Sequence, residues 1–81
     1  MQSGGSLIWK DRIAGHTSEV IGRVLNRGGA VPVGRTTSSE FGGLNVSITK
    51  LNGVTHNPWR HDRTVGGSSA GSSSAVSGGL V

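Results

Sequence analysis

The residues best placed to do chemistry lie in one run, Thr64-Val65-Gly66-Gly67-Ser68-Ser69-Ala70-Gly71-Ser72. Gly66 and Gly67 admit backbone angles that other residues resist. Ser68 and Ser69 then present two hydroxyls and two backbone N–H groups at the mouth of the next segment. A glycine turn that opens into a helix N-terminus gathers N–H groups into a nest suited to an anion or an oxyanion. Gly/Ser runs are also common flexible linkers, which is the competing reading. Against the linker, Val76, Leu80 and Val81 are spaced for one apolar face, and no charged residue follows Arg63. A phosphate cradle of the P-loop kind would need Gly-Lys-Ser/Thr, which the run lacks.

Other polar residues carry less. His56, His61 and Asp62 flank Asn57-Pro58-Trp59, but their spacing fits no common ligand pattern and offers no third ligand, so no metal is expected. Glu40 has no second carboxylate near it in sequence. It reads as structural, a partner for Arg35. Asn57-Pro58 reads as a turn that fixes the chain's entry to the glycine loop, with Trp59 as its packing anchor.

The elements that must position the Gly/Ser run follow from local pattern. Thr17 is a good N-cap. Residues 18–27 read as a helix, with Val20, Ile21, Val24 and Leu25 on one stripe, Glu19 in the first turn and Arg27 in the last. Gly28-Gly29 stops it. Residues 30–34, Ala-Val-Pro-Val-Gly, read as a short strand, with Pro32 arguing for an edge position or for an N–H that had no partner in any case. Leu44, Val46 and Ile48 alternate with polar residues, which suits a further strand inside a loop over 42–65. Residues 66–69 are the Gly/Ser loop. Residues 70–81 read as a helix of small residues, the form a helix takes when it lies very close to a neighbour.

Composition bounds the answer. The chain has 81 residues, 15 of them Gly, and only 32% hydrophobic residues. That is one small domain with little core and nothing to staple it. With no cysteine there is no disulfide framework and no thiolate metal site. The formal net charge of +4 invites a nucleic-acid reading. The eight basic residues are scattered without interleaved aromatics, so nucleic acid is not the expected partner. No apolar run approaches a membrane span, and Met1-Gln2-Ser3-Gly4-Gly5 lacks the basic start of a signal peptide. A cytoplasmic location, no membrane contact and no cofactor are expected. Exposure of the 18–27 stripe would favour self-association.

Several ordered blocks together resemble the amidase signature family. They are Gly29-Ala30-Val31-Pro32-Val33-Gly34-Arg35-Thr36, then Ser39-Glu40-Phe41, Asn57-Pro58-Trp59, and Arg63-Thr64-Val65-Gly66-Gly67-Ser68-Ser69-Ala70-Gly71-Ser72 before a small-residue helix ending Gly-Leu-Val. The sequence departs from the family's usual form at Val65, where Pro is usual, at Ala70, where Gly is usual, and at Pro32 inside the expected strand. The resemblance implies an α/β fold, one part of an α/β/α sandwich around a mixed sheet. It implies hydrolysis of a carboxylic amide to an acid plus ammonia or an amine, without metal or cofactor, by a serine–serine–lysine triad. By position, Ser68 would be the relay serine, in a cis peptide, passing a proton from a nucleophilic serine to a neutral lysine. Gly66, Gly67 and Ser69 would shape the loop or bind substrate.

Two further expectations come from the same resemblance. The nucleophile belongs to a later Gly-Gly-Ser segment, and Ser72, Ser73, Ser74 and Ser77 lie too close to Ser68 to supply it. The lysine belongs to a segment upstream. Lys10 sits beside Asp11, which would hold it charged, and reads as a solvated surface residue. The chain is therefore expected to be a partial amidase domain, inactive when isolated, with a small-molecule amide as the substrate of the whole enzyme. A glutamine-using subunit of the kind that frees ammonia for tRNA charging is the near alternative. A non-enzymatic Gly/Ser anion module is the distant one.

Overall fold

The computed structural model describes residues 2–81. Helix α1 spans Glu19–Asn26. Its cap is Ser18 rather than the expected Thr17. Ser18 is extended, at φ −63° and ψ 149°, and its Oγ accepts the Ile21 N–H at 3.4 Å. Within α1, Arg23 Nε donates to Glu19 Oε1 at 2.7 Å, one turn away, a pairing that supports an exposed helix modestly. The apolar stripe forms as the periodicity requires, but Val20, Ile21 and Val24 all remain exposed.

Residues 30–34 form no strand. Pro32 has no N–H to give, and no described segment pairs with this one; Val31 and Val33 stay exposed, at 82% and 83%. The alternation from Leu44 to Thr49 yields only a short β1, Ile48–Thr49, paired antiparallel with β2, Gly53–Val54. The turn between them closes on Asn52, whose N–H donates to Thr49 Oγ1 at 2.9 Å, and on Gly53 at φ +71°. A second antiparallel pair joins β3, His56–Asn57, to β4, Arg60–Thr64, across an irregular register. Asn57 Oδ1 accepts the Trp59 N–H at 2.9 Å, an Asx turn that folds this hairpin. Helix α2 spans Ala70–Ser77 and ends at Gly78 and Gly79, the latter at φ +73°, short of the expected residue 81. The described residues thus carry two α-helices, two single-turn 3-10 helices at Leu7–Trp9 and Glu40–Gly42, and two two-stranded antiparallel sheets, compatible with one part of an α/β fold. No helix among the described residues is long and apolar enough to cross a membrane.

The interior is polar. Among the described residues Ala70 is the one buried hydrophobic residue, and Ser6, Ser39, Ser47 and Thr49 are buried with it. Trp9 and Phe41 meet edge-to-face at 5.3 Å, with Arg12 over the Trp9 ring at 4.7 Å, but all of this lies at the surface. Trp59 is no packing anchor. It is 80% exposed, and its tie to the fold is a hydrogen bond from its indole N–H to the Ser77 carbonyl at 2.9 Å, joining the β3–β4 turn to the end of α2.

Since the apolar stripe of α1 is left uncovered, capping weighs heavily on how well the helix is populated. Ser18→Ala should destabilise α1 by about 1 kcal/mol. Circular dichroism and the chemical shifts of residues 19–26 should both report the loss of helix, with the shifts of α2 unchanged.

Candidate active site

The Gly/Ser run is held from two sides. On one side runs the extended segment from Thr36 to Ser39. The Ser39 N–H donates to the Ser68 carbonyl at 3.3 Å, and the Gly71 N–H donates to the Thr37 carbonyl at 3.0 Å. Thr36 Oγ1 and Ser72 Oγ share a hydrogen bond at 2.8 Å, and Thr37 Oγ1 is fixed in turn by Thr55 Oγ1 at 2.7 Å. The approach is close enough to exclude any side chain at position 71. A Cβ there would lie 2.6 Å from the Thr37 carbonyl oxygen and 2.7 Å from Thr36 Cβ. On the other side, a Cβ at position 67 would lie 2.8 Å from the Val46 nitrogen and 3.0 Å from the Leu44 oxygen. Glycine at 67 and 71 is thus a requirement of packing, whereas Gly66 serves through its backbone angle, φ +83°.

Between these supports the turn is tightly curved. The Gly66 N–H donates to Thr64 Oγ1 at 3.0 Å, and the Gly67–Ser68 peptide bond is cis. Ser69 is the N-cap residue of α2 by position, but its hydroxyl caps no backbone N–H. The Ser68 side chain is exposed, and its hydroxyl bonds to no described residue. Ser68 and Ser69 line a cavity of about 410 Å³ together with Arg35, Thr36, Thr37, Ser38 and Ser72. Ser68 therefore offers its hydroxyl at the edge of a polar space, on a backbone whose neighbours are hydrogen-bonded.

The remaining serines of α2 are occupied differently. Ser72 is committed to Thr36. Ser74 Oγ donates to the His56 carbonyl at 3.1 Å, and Ser77 Oγ to the Ser73 carbonyl at 2.7 Å. His56 and His61 come near each other, with His56 Nδ1 2.8 Å from the His61 carbonyl oxygen, a contact that belongs to the β3–β4 hairpin. Lys10 is exposed in the N-terminal segment and lines none of this cavity. Sequence reasoning missed Thr36, Thr37 and Thr55. The available signal was Gly71 itself, a glycine within a helix that needs a close neighbour.

Two glycine-to-alanine changes inside helices should have opposite signs. Gly71→Ala drives a methyl group into the Thr37 backbone and should cost on the order of 1–3 kcal/mol. Gly22→Ala in α1 has nothing within 4 Å of the new Cβ, and should stabilise by roughly 0.5–1 kcal/mol. Denaturant midpoints of the two variants check this directly. Loss of stability in both, or in neither, would contradict the packing described.

Comparison with known proteins identifies the family. The family model described as Amidase matches residues 1–81. The chain is 38% identical over 72 residues to a lipoamidase of Enterococcus faecalis, an alignment that covers 89% of the chain and 10% of that protein. It is 42% identical over 71 residues to an indoleacetamide hydrolase of Bradyrhizobium diazoefficiens, covering 88% of the chain and 13% of the relative. It is also 40% identical over 79 residues to a glutamyl-tRNA(Gln) amidotransferase subunit of Nitrosococcus oceani, covering 98% of the chain and 16% of the relative. The chain therefore spans a small part of the length of the relatives it matches. No solved structure matches it significantly. With the family model matched over its whole length, this chain belongs to the amidase family.

Proposed function

We propose that this chain contributes the proton-relay segment of an amide hydrolase, with Ser68 as the relay. The observation that carries the reading is the Ser68 hydroxyl, exposed and bonded to no described residue, on a turn held by Ser39, Thr37 and Thr36. A relay hydroxyl must face the reacting groups and be free to accept one proton while giving another. A hydroxyl committed to a helix cap could not do so.

In the proposed reaction a serine elsewhere in the whole enzyme attacks the amide carbon. Its proton moves to Ser68 Oγ as the Ser68 proton moves to a neutral lysine amine. The tetrahedral oxyanion then collapses, and the C–N bond breaks. The lysine proton returns through Ser68 to the departing nitrogen, leaving ammonia or an amine and an acyl-serine ester. Water, deprotonated along the same path, hydrolyses that ester to the acid and restores the serine. Ser68 is neither consumed nor charged at the end of either half. This chain's own contribution is to orient the relay; Gly66 and Gly67 let the turn form, and Ser69 shapes its exit into α2. The 81 residues hold one of the three groups, so the isolated chain should release ammonia from amides only at background rates.

A second reading has its own support. Of the three relatives, the amidotransferase subunit is the one whose alignment covers the most of this chain, at 98%. On that reading the amide is the side chain of glutamine and the product is ammonia for transfer.

The relay role can be tested in a chimera. The matched segment of the Bradyrhizobium indoleacetamide hydrolase is replaced by residues 1–81. Ser68→Ala in that chimera should lower kcat by roughly 10²–10⁴-fold with little change in KM, the range for loss of a positioned acid–base group. Ser69→Ala should cost much less. An unchanged kcat in Ser68→Ala, with circular dichroism matching the parent chimera, would contradict the role.

A further inference from the structure

We propose that Asn52 is a self-modification site: the Gly53 backbone nitrogen displaces ammonia from the Asn52 side-chain amide, and the rebuilt turn loosens the threonine pair that holds the clamp. The proposal is independent of whether Ser68 relays a proton.

The chain's asparagines are Asn26, Asn45, Asn52 and Asn57. Ring closure at an asparagine needs a free side-chain amide and an unhindered nitrogen on the residue that follows. Asn57 fails on both counts. Pro58 has no N–H, and Asn57 Oδ1 is held by the Trp59 N–H at 2.9 Å. After Asn26 comes Arg27, whose N–H is committed to the Arg23 carbonyl at 2.9 Å. Asn45 precedes Val46, whose branched Cβ shields its nitrogen. Asn52 precedes a glycine, and both residues are exposed. Its backbone N–H donates to Thr49 Oγ1, but its side-chain amide bonds to no described residue. Beyond its chain neighbours, a Cβ built on Gly53 meets nothing within 4 Å, so the turn is open around the attacking nitrogen. β1 and β2 are two residues each, a ladder too short to hold this end closed.

Water is the one co-reactant. The Gly53 nitrogen attacks Asn52 Cγ and forms a new N–C bond. Its proton passes through solvent to Nδ2, the Cγ–Nδ2 bond breaks, and ammonia departs to leave an imide ring. Water then opens the ring at either carbonyl. Opening at Cγ restores the normal main chain with an aspartate at this position. Opening at the main-chain carbonyl leaves an isoaspartyl linkage, which runs the chain through Cβ and Cγ and lengthens it by one carbon. That carbon enters the turn that sets the pairing of Thr49 with Gly53 and of Ile48 with Val54. Thr55 follows directly on β2. Its N–H donates to the Ser47 carbonyl at 3.0 Å, and its hydroxyl holds Thr37, whose carbonyl receives the Gly71 N–H. A longer turn therefore pulls on the clamp through Thr55.

The test incubates the 81-residue chain in mildly alkaline buffer. Each asparagine is followed by digestion and mass spectrometry, with fragmentation that separates aspartyl from isoaspartyl products. Asn52 should lose its amide several-fold faster than Asn45 or Asn26. Asn52→Gln should abolish the product, since the longer glutamine side chain closes the ring poorly. Gly53→Ala should slow the loss several-fold. It should do so in denaturant as well, where the φ of +71° at Gly53 and any strain there play no part. In the isoaspartyl product the amide signals of Thr37, Thr55 and Gly71 should move, while those of α1 stay in place. Loss at Asn52 no faster than at Asn45, or an unchanged rate in Gly53→Ala, would overturn the site. An isoaspartyl product with the Thr37 and Gly71 signals unmoved would overturn its link to the clamp.

Discussion

The whole arrangement depends on how closely α2 approaches the segment from Thr36 to Ser39. Gly71 lies against the Thr37 backbone with no room for a methyl group, and the Gly71 N–H to Thr37 carbonyl bond at 3.0 Å fixes the two segments together. Ala70, the first residue of α2, is fully buried beside that contact. The four residues before α2 must then turn sharply to reach it. Gly66 and Gly67 make the turn, and Ser68 is carried on it. A larger residue at 71 would lift α2 away, and the Ser39 N–H would lose the Ser68 carbonyl. The position of one hydroxyl thus follows from the absence of one side chain.

The chain compensates for a thin apolar core with hydroxyl and backbone hydrogen bonds. Ser6 Oγ accepts the Ile8 N–H, Thr49 Oγ1 accepts the Asn52 N–H, and the threonine pair 37–55 ties the clamp to the residue between the two hairpins. Hydrogen bonds of this kind contribute modestly each, about 0.5–1.5 kcal/mol net. They are directional, however, where apolar contacts are not. A turn that must hold one hydroxyl in one orientation is well served by such an interior. The same thinness leaves the α1 stripe and Val31 and Val33 without cover inside the chain.

What the sequence disclosed was local. Ser18 to Gly29 follows from caps, charge placement and periodicity, and the structure shifts the cap by one residue. The Gly/Ser run was legible because glycine and serine have few other reasons to cluster before a small-residue helix. The family was legible from several blocks in order. Residues 30–34 misled, because a strand needs a neighbour, and apolar composition says nothing about whether one exists within the chain. Trp59 misled in the same way: an aromatic in a turn suggests burial, but its indole N–H uses a surface carbonyl. The clamp was illegible for a further reason. Thr36, Thr37 and Thr55 are ordinary polar residues whose partners lie 18 to 36 positions away, and neither spacing nor propensity marks them.

Amide hydrogen exchange tests the central contact most directly. In the 81-residue chain the N–H groups of Gly71 and Ser39 should both exchange slowly, and Gly71→Ala should release the two together while the α1 amides keep their rates. If both exchange at the rates of an unstructured peptide in the parent chain, the clamp does not hold the turn. The account of Ser68 would then have no structural basis.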